Sequence, residues 1–144
     1  MTTARTTARY TYTERAWADT DATLVVRKAD LDPRAVTARL GLDPTATRLP
    51  GPARRNPAGD PCGLWLYQCA TAALGLPEQI DRVVDAVEER AGVLHELAAE
   101  GHEVTLTAFG FVGNGSVLEI MPQTALRVAS LGIPLELRVS ACER

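Results

Sequence analysis

The chemistry open to this 144-residue chain begins with two histidines, three cysteines and scattered carboxylates. His95 and His102 fall at the end of a long helical pattern and just past its glycine stop, and no third ligand stands at a metal-binding spacing from them. Packed or solvated imidazoles are expected there, and no metal and no cofactor. Cys62, Cys69 and Cys142 match no zinc pattern. A Cys62–Cys69 bridge fits the spacing, but a reducing compartment favours free, half-buried thiols. Asp60 in a loop, Glu119 near a glycine turn and Glu136 on a strand are carboxylates that acid–base work could use, but the sequence alone brings no two of them together. Arg48, Arg54 and Arg55 sit in a Pro/Gly-rich segment and could clamp a carboxylate or phosphate through paired N–H bonds. The run Gly110-Phe-Val-Gly113-Asn-Gly115 follows a strand but lacks the order of a dinucleotide-binding turn. No phosphate loop and no nucleophile elbow occur.

These residues need elements to position them. Thr23–Arg27 reads as a strand. Asp32-Pro33 is an N-cap with proline at the first helical position, and Ala35, Val36 and Leu40 make a short helix stopped by Gly41. Asp43–Gly63 has no hydrophobic period and reads as a long loop. Leu64–Cys69 is the second strand. From Pro77 onward, Ile80, Val83, Val84, Val87, Ala91, Leu94 and Ala98 recur at three- and four-residue spacing, which predicts the longest helix, ending at Gly101. Gly92 predicts a kink or break near Ala91. Glu103–Phe109 is a third strand, Val117–Ile120 a short strand or extended approach, Pro122–Ala129 another helix stopped at Gly132, and Ile133–Val139 the closing strand.

The stretch around Leu31-Asp-Pro33 and Leu40-Gly41-Leu42 is echoed by Met121-Pro122 and Leu131-Gly132-Ile133. Each lies between two strands. The expected fold is therefore α+β: a two-layer sandwich with one four- or five-stranded mixed sheet, helices on one face, and two β-α-β halves joined by the long helix. Residues 1–18 read as an N-terminal extension and 19–144 as one domain.

Side chains alternate across a strand. Leu24, Val26, Leu64, Leu66, Val104, Leu106, Leu135, Leu137 and Val139 supply a face for the helices to cover. Val25, Arg27, Trp65, Tyr67, Cys69, Thr105, Thr107, Phe109, Glu136, Arg138 and Ser140 form the opposite face. From this face come the ligand-binding candidates Trp65, Tyr67, Arg138, Arg27 and Thr107; Arg54 and Arg55 join them from the loop. The face could close a homodimer, be covered by Tyr10, Tyr12 and Trp17 or by the long loop, or take a ligand or a foreign protein.

An apolar fraction of 46% with 23% charged residues excludes disordered, collagen-like and coiled-coil classes. No apolar run is long enough to span a membrane, and the first residues lack a signal-peptide core, so a soluble cytoplasmic protein is expected. The net charge of −3 argues against nucleic acid as a partner. Residues 78–103 set two arginines against eight carboxylates, which is a solvated helix face or an acidic docking surface for a basic partner.

The order of these features resembles a bacterial family, the domain of unknown function 4279. The resemblance rests on Asp32-Pro33, on Leu40-Gly41-Leu42-Asp-Pro44-Thr45, on Gly51, Arg54 and Leu64-Trp65, on the long helix into Leu97 and Gly101, and on Met121-Pro122 with Leu131-Gly132-Ile133. It spans roughly residues 20–140 and implies a small α+β domain, with no activity and no catalytic residues to transfer. The leading functional expectation is a binding or interaction module, immunity-like where the acidic helix docks. Its partner would be a protein, a small molecule or a second copy of the chain. The alternative is a small accessory enzyme holding a metabolite between the sheet face and the 44–63 loop.

Overall fold

A computed structural model describes residues 16–51 and 59–141. A single five-stranded mixed sheet takes the order β2-β3-β1-β4-β5. Its strands are β1 (Ala18–Lys28), β2 (Ala46–Arg48), β3 (Gly63–Cys69), β4 (Glu103–Val112) and β5 (Leu135–Ala141). Helices α1 (Pro33–Leu40), α2 (Leu76–Val87), α3 (Ala91–Ala99) and α4 (Pro122–Ser130) complete an α+β domain. Among the described residues no helix is long and apolar enough to cross a membrane.

Local sequence explains the helix boundaries. Asp32 accepts the backbone N–H of Arg34 at 3.1 Å, Pro33 fills a position needing no donor, and Gly41 closes α1 in the left-handed region at φ 62°. The long helical pattern is split. Glu88–Arg90 tighten into one turn of 3-10 helix between α2 and α3, so the expected break falls just ahead of Ala91. Gly132 lies in the left-handed region past the end of α4.

The two strand–helix–strand halves differ in sense. β4, α4 and β5 form a parallel unit. In the first half β1 and β3 are antiparallel neighbours, and the short strand β2 sits inside the segment expected to be all loop, pairing antiparallel with β3. Strand β1 lies at the centre, antiparallel to both β3 and β4.

This pairing corrects the facing of β3. Val26 stands opposite both Trp65 and Val104, and Leu24 opposite Tyr67 and Leu106. Trp65 and Tyr67 therefore share the helix side with Leu24 and Val26, while Leu64 and Leu66 point the other way. A strand set out of phase by one residue moves every side chain to the wrong face. The phase follows the largest side chain: Trp65 has no exposed surface, and its indole N–H donates to the Thr37 hydroxyl of α1 at 3.0 Å. Around it Leu24, Val26, Val36, Ile80, Val83, Leu94, Leu97 and Leu106 form one core between the sheet and the helices. Burying each such aliphatic side chain contributes about 1.5–3 kcal/mol.

Helix α4 is tied to α2 by charge as well as packing. Arg127 lies among Asp81, Asp85 and Glu88, and the Thr124 hydroxyl donates to Asp81 at 3.0 Å. The acidic carboxylates thus converge on an arginine of the same chain.

Candidate functional site

The strand registers assemble the sheet side opposite the helices row by row. Arg48, Leu64, Arg27 and Glu103 form one row, and Ala46, Leu66, Val25 and Thr105 the next. Gln68, Thr23, Thr107 and Glu136 follow, then Asp21, Phe109 and Arg138, then Phe111 and Ser140. No described helix packs on this side. Its centre is apolar and hydroxyl-bearing, its Arg27 end is charged, and its Phe109 end is aromatic. Phe109 and Phe111 meet edge to face with ring centres 5.4 Å apart.

At the charged end, Arg27 makes two hydrogen bonds to the Asp60 carboxylate, both at 2.8 Å, and one to Glu103 at 2.9 Å. Arg48 reaches the same carboxylate at 3.0 Å and donates twice to the Cys62 carbonyl. The Asp60 carboxyl is held well below the usual carboxylate range, first by Arg27 and then by the Cys62 N–H. The Arg27 guanidinium is raised correspondingly, mainly by Asp60. Asp60 thus has no proton to lend near neutrality, and its loop end is pinned to the sheet. Burial, followed by the neighbouring Asp60 carboxylate, pushes the Cys62 thiol up, away from the reactive thiolate.

The binding candidates separate. Arg27, Thr107 and Arg138 stand on the uncovered side. Arg138 is engaged by Glu136 of its own strand at 2.6 Å. Trp65 is removed from the candidates, being core, and Tyr67 is half-buried on the helix side. Arg54, Arg55, Cys142, Tyr10 and Tyr12 lie outside the described residues. Phe111 was missed because the glycine run reads as a turn, whereas β4 continues through Gly110 to Val112 and the turn begins at Gly113. The continuing two-residue alternation of Thr105, Thr107, Phe109 and Phe111 was the available signal.

The acid–base candidates do not converge. His95 contacts the Leu131 carbonyl at 2.8 Å and His102 the Leu97 carbonyl at 2.9 Å, each imidazole fastening a helix end. His102 borders a shallow cleft of about 190 Å³ whose charges pair among themselves, Lys28 with Asp30 and Arg39 with Glu100. Among the described residues no three His, Cys, Asp or Glu side chains gather as metal ligands would. Two further clefts flank Trp17. One of about 440 Å³ is bordered by Asp19, Asp21, Leu74 and Gln79, and one of about 310 Å³ by Leu76, Pro77, Val117, Leu118 and Glu119.

Comparison with known proteins returns one relationship. The model of a family described as a domain of unknown function, DUF4279, matches residues 18–141. No curated protein and no solved structure matches the chain.

Proposed function

Because this chain belongs to the DUF4279 family, whose description assigns no activity, its function is read from its own surfaces, and we propose an interaction module that self-associates through β5. One observation carries this reading. Strand β5 is a sheet edge whose outer backbone has no partner among the described residues, and it displays Leu137 and Val139 at 51% and 55% exposure. Long apolar edges are normally shortened, charged or covered. Met121 and Leu126, in and beside the helix that leads into β5, are also more than half exposed. Antiparallel pairing of two β5 strands is two-fold symmetric, so each copy satisfies the other's edge. Leu137 and Val139 then meet their counterparts across the axis, and the uncovered sheet sides join into one continuous surface.

Native mass spectrometry of the wild type and of a Leu137→Lys/Val139→Lys variant tests this. A wild-type dimer converted to a monomer by the two lysines is the expected result. A wild-type monomer at micromolar concentration, or a dimer indifferent to the lysines, refutes it. The acidic helix supports a docking role less well, because Asp81, Asp85 and Glu88 already surround Arg127.

A further inference from the structure

Self-association through β5 leaves open how the two strands align, and the edge itself restricts the alignment. Backbone direction is the first restriction. Strand β5 lies parallel to β4, and the Leu106 N–H donates to the Pro134 carbonyl at 3.0 Å. Backbone groups alternate in direction along a strand, so Glu136, Arg138 and Ser140 also turn theirs toward β4. Leu135, Leu137 and Val139 turn theirs outward, where the sheet order places no further strand.

Charge is the second restriction. Glu136 and Arg138 stand on the uncovered side of β5, beside Thr107 and Phe109 of β4. The Arg138 Nε–H donates to Glu136 at 2.6 Å, yet the two side chains stay 67% and 46% exposed. The terminal nitrogens of Arg138 have no carboxylate partner among the described residues.

A two-fold axis that keeps both uncovered sides together stands perpendicular to the sheet and sets one residue of β5 opposite itself. Centred on Glu136, it brings two carboxylates head to head; centred on Arg138, two guanidiniums. Centred on Val139, it sets each Arg138 opposite Ser140 and shortens the overlap. Centred on Leu137, it sets each Glu136 opposite Arg138 of the other copy, Leu137 opposite itself and Val139 opposite Leu135. The charged residues then occupy the close, non-hydrogen-bonded pairs, with Cα atoms about 4.5 Å apart. Leu135, Leu137 and Val139 meanwhile exchange their outward backbone bonds with the other copy. Opposite charges directly across a strand pair stabilise it and like charges destabilise it.

We propose, on the footing of the self-association reading, that two copies pair about Leu137 and that Glu136 and Arg138 select this register. The same two residues select the partner. A carboxylate and a guanidinium two positions apart are complementary to their own reversed order, so a strand without that pattern leaves a charge unmatched.

The test is sedimentation equilibrium of the full chain carrying Glu136→Arg, Arg138→Glu or both, with native mass spectrometry of mixtures. Each single variant should dimerise at least about tenfold more weakly than wild type, because two symmetric attractions become repulsions. The double variant should recover the homodimer, and an equimolar mixture of the two single variants should form the mixed dimer, since every reversed charge then meets its opposite. Unchanged far-ultraviolet circular dichroism certifies the fold of each variant. A single variant that dimerises as tightly as wild type, or a double variant that stays dissociated, overturns the register. A dimer dissolved by Leu137→Lys/Val139→Lys but indifferent to the charge reversals keeps self-association and refutes the register alone; a wild-type monomer refutes both.

Discussion

Replacing Trp65 is expected to unfold rather than disassemble the protein. The side chain has no exposed surface and fills the space between β1, β3 and α1. Trp65→Ala should cost about 3–5 kcal/mol in urea denaturation, the range for truncating a buried aromatic. Trp65→Phe should cost less, chiefly the bond to Thr37, and neither should alter the subunit count of the folded fraction. Asp60 gives a second expectation. Its carboxyl is depressed in the folded state, so its contribution is present above the ordinary carboxylate value of about 3.9 and fades as pH falls below it. The stability gap between wild type and Asp60→Asn, measured by urea midpoints, should stay level from neutral pH down to about 5 and shrink as pH falls below the ordinary carboxylate value of about 3.9. Residue types foretold part of this chemistry. Arg27 read correctly as a face residue, but that its partner would be Asp60, 33 positions away, is decided by where the loop returns. Trp65 was misread because a tryptophan beside leucines satisfies either facing of a strand until its neighbours' register is known.

At the scale of elements, the helices were legible and the strand facings only partly so. Asp32-Pro33 and Gly41 bound α1 because capping is local chemistry, complete within a few residues. Likewise the aliphatic period of Ile80, Val83, Val84 and Val87 suffices to define the buried side of α2. Strand β2 was hidden because three residues show no alternation. Two glycines within elements offer an opposed pair of tests. Gly92 in α3 faces open space, so Gly92→Ala should raise stability by about 0.5–1 kcal/mol, seen as a higher thermal midpoint. Gly110 lies under the Trp17 ring, so Gly110→Ala should lower that midpoint and unseat the indole, with a matching change in tryptophan fluorescence.

For the whole molecule, the α+β class and family pattern follow from the chain order of strands and helices, whereas the sheet order does not. Two halves of similar sequence ended with different pairing senses, parallel for β4 and β5 and antiparallel for β1 and β3. The central place of β1 also governs how the protein can be made. Its partner residues in β3 begin at Gly63, and the contact between Arg27 and Glu103 spans 76 residues. A ribosome adding about 5–20 residues per second would complete that interval in roughly 4–15 s. Until β3 is made the nascent Leu24-Val25-Val26 segment has no strand partner, and its β4 side stays unpaired to the end of that interval. The charges bracketing it, Asp19 and Asp21 before and Arg27 and Lys28 after, are of the kind that oppose association of an unpaired apolar strand with another chain.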